Sequence, residues 1–348
     1  MDGYKVCKVK DLKEGDILAE DIYKNDFLLL SSGVSLKKTL IAKLQNDVYK
    51  DNINKTIILV DIKEDISDKL EGTLILSDDV KSRVTKSIDY MYFSKDPEEV
   101  AEIATSISEV LVSEVLKDSC SAVCLDSLKL CDNYTFNHCV DVASISMVIA
   151  KECKFSEKMI KEIGTAGILH DIGKQDIPLS ILNKAGKLTD DEFDLIKKHP
   201  TFSYLRIKDT SLSNDIKLGI LQHHEKYCGG GYPLNISGNN INPIARLLTV
   251  SDVYAALVTE RPYKSAVKPS ECIEMMYGMF LQFDVDYFKK FLDVLVIYSN
   301  GSTITLSNGD TAKVIKQNKG YPLRPTIRIN EEVIDLSRDY NYLNLIII

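Results

Sequence analysis

Five of the 348 residues are histidine, and all five lie between positions 138 and 224. They are His138, His170, His199, His223 and His224; two are adjacent, and one is followed directly by Asp171. A lone histidine on a helix is usually a packed or solvated residue. Five confined to one stretch point instead to a metal site. Imidazole together with carboxylate suits Mn²⁺, Fe²⁺ or Zn²⁺. A carboxylate has two oxygens and can bridge two ions, which a histidine cannot do in that way. Asp252 follows the apolar run Leu248-Thr249-Val250-Ser251. It reads either as a second carboxylate ligand or as a capping or turn aspartate. Two ions about 3.5–4 Å apart would hold a bridging hydroxide and flank an in-line displacement at phosphorus.

Cations that could face phosphate oxygens lie nearby. Lys174 is four residues after His170, and Arg261 and Lys264 are spaced three apart, about one helical turn. Such cations neutralise phosphate charge, although each alone reads equally as a solvated surface residue. Gly229-Gly230-Gly231-Tyr232-Pro233 follows the double histidine closely. Three glycines permit unusual backbone angles and close approach of a ligand, or make an ordinary flexible loop. No Gly-Lys-Ser/Thr follows, so this is not a Walker loop.

The rest of the chain bounds these readings. Hydrophobic residues make up 45%, charged 27% and aromatic 8%, the values of a globular chain of two or three domains. The 43 basic and 51 acidic side chains leave a net charge of −8. That balance argues against coating polymeric nucleic acid or an anionic membrane. Apolar runs such as Leu345–Ile348 are short. None reaches the roughly 18 residues of a membrane span, and the start has no signal-peptide core, so a cytoplasmic protein without membrane insertion is expected. The eight cysteines form no Cys-x-x-Cys pair, which argues against a zinc knuckle.

The elements that must carry the site fall into three stretches: 1–64, 65–292 and 293–348. The first reads as a small mixed α/β module. Its strands are Asp16–Tyr23 and Phe27–Leu30 around Lys24-Asn25-Asp26, and Thr56–Val60. Ser35 would cap a helix with Leu36, Leu40, Ile41 and Leu44 on one side. The second stretch is helical: Glu98–Leu116, Val140–Ile149, and Ile160–Leu169 running into His170 and stopping near Gly173. Thr189-Asp190-Asp191-Glu192 is a capping box expected to open a helix carrying Phe193, Ile196 and His199. The tail reads as a hairpin, Ser302–Leu306 and Thr311–Ile315 around Asn308-Gly309, with strands Thr326–Ile329 and Val333–Leu336. The fold class is therefore mainly α, with a small α/β module before the helical body and a small β domain after it.

Six stretches carry a family resemblance: NYTFNH (133–138), HDIGKQDIP (170–178), ILNKAGKLTDDE (181–192), KKHP (197–200), HHEKYCGGGYP (223–233) and SDVYAALVTERPYK (251–264). In that order they resemble the HD-GYP family of cyclic di-GMP phosphodiesterases, a branch of the HD metal-dependent phosphohydrolases. The resemblance implies an all-helical HD-type catalytic domain and two divalent ions, iron or manganese. It implies His138, His170, Asp171, His199, His223, His224 and Asp252 as metal ligands, with Asp171 as the bridge. It assigns Lys174, Arg261 and Lys264 to substrate phosphate and sets Tyr232 near the bound nucleotide. Asp171 and Lys174 would serve catalysis, and cyclic di-GMP would be opened to linear pGpG and cut on to GMP. A homodimer or a regulatory protein partner stays open.

Four departures bear on this. Some members carry a glutamate, tied to a third ion, where this chain has Tyr134, which favours two ions. Cys228 and Ala255 stand where aspartate is common, and Ser203 stands where glycine is common. The alternatives are a non-catalytic receptor for a cyclic dinucleotide, against which the complete ligand set argues, and a phosphohydrolase of another cyclic nucleotide. Contacts to the base, not the metal core, would decide the latter.

Overall fold

The computed structural model describes residues 4–14, 16, 18, 22–24, 27–30, 36, 38–49, 56–60, 73, 74, 76–117, 120–124, 134–184, 186–259 and 267–348. The chain divides into two compact units, Met1–Lys69 and Leu70–Ile348.

The first unit contains β1 (Tyr4–Lys8), β2 (Ile22–Lys24), β3 (Phe27–Leu30), α1 (Lys38–Tyr49) and β4 (Thr56–Val60). β1 pairs antiparallel with β4, and β2 with β3. Leu18, Ile22, Leu36, Ile41 and Leu44 share its core with Val9 and Leu12. Of the strand expected over Asp16–Tyr23, Ile22 and Tyr23 lie in β2 and Asp16 lies outside a strand, while 17 and 19–21 are outside the described residues. Asp16 instead accepts the Lys13 N–H through its carboxylate at 2.7 Å, a local turn that competes with strand pairing. The proposed cap Ser35 lies outside the described residues.

The second unit is mainly helical. Its helices are α2 (Asp78–Phe93), α3 (Pro97–Val115), α4 (Tyr134–Glu152), α5 (Glu157–Leu169), α6 (Leu179–Leu182), α7 (Asp190–Ile196), α8 (His199–Ile207), α9 (Asn214–Gln222), α10 (Pro243–Val258), α11 (Pro269–Gly278) and α12 (Val285–Val294). Most starts are set locally. Ser77, Asp96, Ser156, Ser213, Asn242 and Asp284 each accept a first-turn N–H, and Thr189 with Glu192 forms the expected capping box.

α4 is the central helix. Residues 138–150 are buried without exception, the polar His138, Asp141, Ser144 and Ser146 among them. α5, α10 and α12 pack around it. α4 and α5 form a hairpin through a short turn in which Lys154 takes φ 61°. The two helices approach closely because Gly167 faces Ala143; a Cβ there would lie 2.6 Å from Ala143 Cα. The hairpin sets the start of α4, with His138, beside the end of α5, with His170.

The tail forms a four-stranded antiparallel sheet of β5 (Thr303–Thr305), β6 (Thr311–Lys316), β7 (Thr326–Ile329) and β8 (Glu332–Asp335), in that order. Gly309, at φ 91°, supplies the hairpin turn. Ile304, Val314, Ile327 and Ile334 alternate inward onto Leu306, Leu336 and Leu345. Among the described residues no helix is long and apolar enough to cross a membrane.

Candidate active site

Three helix ends aim three imidazoles at one point. The last carbonyls of a helix have no partner within it. His170 Nδ1 reaches back to Gly167 O at 2.7 Å at the end of α5, and His223 Nδ1 to Ile220 O at 2.7 Å at the end of α9. His199 Nδ1 does the same with Ile196 O at 2.8 Å. A carbonyl only accepts, so Nδ1 carries a proton and Nε2 points inward, where a neutral ring offers its lone pair.

The placement of His199 corrects the sequence expectation. The capping-box helix ends at Ile196, and His199 opens the next one, with Pro200 at the second position. Pro200 has no N–H to give Ile196 O, four residues back, so the helix breaks and that carbonyl is left for the His199 ring. Phe193, also on that helix, is 48% exposed and lies under the Lys197 ammonium.

The ring nitrogens and carboxylates form three overlapping sets whose ligand atoms lie within 4.8 Å of one another. These are His138 with His170 and Asp252, His199 with His223 and His224, and His170 with Asp171 and His223. Asp171 stands between the first two sets. Its Oδ2 lies 3.3 Å from His170 Nε2 and 3.6 Å from His138 Nε2, while its Oδ1 lies 3.2 Å from His199 Nε2. Asp252 is arranged similarly, with Oδ1 3.1 Å from His138 Nε2 and Oδ2 4.0 Å from His224 Nε2. The structure thus brings together all seven residues singled out as ligands. Asp252 sits mid-helix in α10, so the capping alternative does not hold.

The electrostatics fit a cation. Burial alone would raise the Asp171 carboxyl, but His170 and Lys174 outweigh it and hold the group well below the usual carboxylate range. Burial is likewise outweighed at Asp252, chiefly by His138 and His224. Burial depresses His138 and His223, and pushes His224 down to about 3. His170 moves the other way, because Asp171 and Asp252 overcome its burial. Two buried carboxylates therefore face mostly neutral imidazoles, with the Lys174 ammonium 2.5 Å from Asp171 Oδ2. His199 Nε2 and His223 Nε2, both lone-pair ends, face each other at 3.2 Å. His170 Nε2 is buried and makes no hydrogen bond. Inward lone pairs at this spacing repel unless a cation lies among them, so this donor set fits a divalent metal.

Two contacts that the sequence did not disclose hold the cluster. Ser203, fully buried on α8, donates its hydroxyl to His170 O at 2.8 Å and accepts the Gly173 N–H at 2.8 Å. It ties the His170-Asp171 turn to the helix that carries His199. Gly173 is required there, because a Cβ would stand within 2.8 Å of Ser203 N, His199 O and Phe202 C. Thr249 donates to His223 O at 2.8 Å from α10. A serine four residues after His199 is a usable signal once the turn is known to pack there.

The glycine loop lies over the cluster. The Tyr232 ring stacks on His224 with centroids 4.8 Å apart and planes at 26°, and burial holds its phenol protonated. Arg261 and Lys264 lie outside the described residues, as does the Tyr134 side chain.

The helical body closes around a buried His/Asp cluster whose donor set could hold divalent metal. Residues 111–286, just over half of the chain, match the HD domain, and the chain belongs to that family. The ordered motifs through Tyr232-Pro233 resemble those of its HD-GYP branch. It is 32% identical over 246 residues to a cyclic di-GMP phosphodiesterase of Pseudomonas aeruginosa, covering 68% of this chain and 59% of the relative. It is 41% identical over 143 residues to a cyclic di-GMP phosphodiesterase of Thermotoga maritima, covering 40% of this chain and 38% of that one. A 3′3′-cGAMP-specific phosphodiesterase of Vibrio cholerae is 33% identical over 143 residues, 41% of this chain and 33% of its own. The chain thus spans 59% of the length of the Pseudomonas relative and less of the other two.

Proposed function

We propose that this site is a cyclic di-GMP phosphodiesterase centre that holds two divalent ions, manganese or iron. The observation that carries the reading is Asp171, whose two oxygens face two different ligand sets. His138, His170 and Asp252 would hold one ion, His199, His223 and His224 the other, and Asp171 both. Bound there, the ions supply a water nucleophile of lowered pKa and positive charge for phosphate oxygens. Lys174, about a third exposed, would neutralise charge developing on the phosphate from the open side. Tyr232 offers a neutral aromatic face beside His224 to the nucleotide. Arg261 and Lys264 keep the phosphate-contacting role that their motif implies. The names of the Pseudomonas and Thermotoga relatives support cyclic di-GMP as substrate. We also read the chain as a module over 1–64, a catalytic domain over 65–292 and a β domain over 293–348. The separate hydrophobic clusters around Leu18 and Leu44 and around Val314 and Ile327 support that division, although Val294 and Leu295 still pack in the helical body.

The test is turnover. Purified protein is incubated with cyclic di-GMP and Mn²⁺, or Fe²⁺ without oxygen, and products are separated over time. Linear pGpG or GMP is expected, and none from the His170→Ala/Asp171→Ala double variant. Unchanged turnover in that variant, or no product from metal-loaded protein, overturns the reading. The Vibrio relative favours one competing substrate, so 3′3′-cGAMP is assayed in parallel; faster turnover of it reassigns the specificity.

A further inference from the structure

One buried acid next to the cluster faces away from it. Glu225 follows the two histidines directly and is only 1% exposed. Its carboxylate accepts three successive backbone N–H groups: Leu234 at 2.5 Å and Asn235 at 3.0 Å on Oε1, and Ile236 at 3.1 Å on Oε2. Those are the residues that follow Tyr232-Pro233. The near side of the loop is fixed as well. Tyr232 N donates to His224 O at 3.2 Å, and Gly231 lies so close that a Cβ would meet Glu225 Cα and Lys226 N at 2.5 Å. Asn235, in the left-handed region at φ 54°, accepts the Gly230 N–H at 3.0 Å and closes the loop. The Tyr232 ring is thereby held over His224 by the chain alone.

We propose that Glu225 is a positioning residue that preorganises the glycine loop, so that Tyr232 meets the nucleotide without an ordering cost at binding. This deepens the phosphodiesterase reading and rests on it. Hydrogen bonds to a charged acceptor that is otherwise cut off from water are among the stronger ones. A loop that lost them would have to be ordered by the substrate itself, and that cost weakens binding rather than the chemical step. A neighbouring residue that only supports the fold would lower thermal stability without separating KM from kcat.

Hydrogen–deuterium exchange and kinetics on the full-length protein decide the matter. In Glu225→Ala, exchange at the Leu234, Asn235 and Ile236 amides should accelerate at least about tenfold, with α4 and α10 unchanged. Glu225→Gln keeps one acceptor oxygen and should show a smaller acceleration; it also carries the test if the alanine variant does not fold. KM for cyclic di-GMP should rise about tenfold in Glu225→Ala, with kcat within about threefold and bound manganese equal to the wild type. On a Tyr232→Ala background, Glu225→Ala should add almost nothing to KM, because it acts through that ring. Wild-type protection of the three amides, or additive effects on KM, overturns the proposal. A wild-type protein that does not turn over cyclic di-GMP counts against the phosphodiesterase reading, and the exchange result alone then decides the role of Glu225.

Discussion

Gly173→Ala tests how tightly the cluster is built. Gly173 does not occupy the left-handed region, so alanine suits its backbone angles and any effect is steric. The new methyl would stand within 2.8 Å of three backbone atoms of α8: Ser203 N, His199 O and Phe202 C. Ordinary contact begins at 3.4 Å and the nearest atom, Ser203 N, would lie at 2.3 Å, so the Ile172–Asp176 turn and α8 must part by about 1.1 Å. None of the three atoms can swing aside as a flexible side-chain end would. The two segments carry Asp171 and His199, whose facing atoms are 3.2 Å apart. Ligand distances tolerate only about 0.2 Å, less than a fifth of the required displacement. Overpacking of this kind costs about 1–3 kcal/mol. For a unit of this size that lowers Tm by about 2–5 °C. Affinity for Mn²⁺ should fall by about 100-fold, the upper end of what loss of an outer support costs. Metal titration followed by calorimetry, with Tm measured on metal-free protein, gives both numbers. Wild-type manganese affinity together with an unchanged Tm would refute the account of Gly173 as a contact point between the two ligand-bearing segments.

Two further outcomes follow from the same geometry. Ser203→Ala leaves the buried Gly173 N–H and His170 carbonyl without their shared hydroxyl; stability should fall by about 1–3 kcal/mol and manganese affinity by about tenfold, read by denaturant melts and metal titration, and values equal to the wild type would remove Ser203 from the site's support. Metal-free protein should also lose stability on mild acidification. His138, His223 and His224 have depressed folded values, so the stability they contribute is present above the ordinary histidine pKa of about 6.5 and is lost as pH falls below it. His170, raised, acts with the opposite sign, and the two aspartates lose their contribution only below about pH 4. At about 1.4 kcal/mol per group and pH unit, three against one gives a net loss of about 1–3 kcal/mol between pH 6.5 and 5.5. A Tm that stays flat or rises over that interval in the chelated protein contradicts the assignment of neutral, buried rings.

The site's chemistry depends on a division of labour between helix ends and helix interiors. His170, His199 and His223 each use an unpaired carbonyl three residues back as a fixed acceptor, which orients the ring without further side chains. His138 and Asp252 come from α4 and α10, where packing on all sides holds the backbone. The glycine loop is added from outside and is tied down by Glu225 together with the backbone carbonyl of His224.

Much of this was legible in residue order alone. Ligand types, their confinement to one stretch, the capping box at Thr189, the Asn308-Gly309 hairpin and the helical periods are local properties, carried by side chains acting on their own backbone within a few residues. The break between Ile196 and His199 was also local, but the capping box upstream masked the effect of Pro200. What residue order could not contain is distance across the fold. That Asp171 divides its two oxygens between separate ligand sets depends on the α4–α5 hairpin, on the Gly167–Ala143 approach and on Gly173 against α8. The use of Ser203 and the burial of Glu225 depend on partners 30 and 11 residues away, respectively. Such contacts exist only after the helices have packed, because a carboxylate or hydroxyl gains its meaning from what desolvates it and what it then must bond.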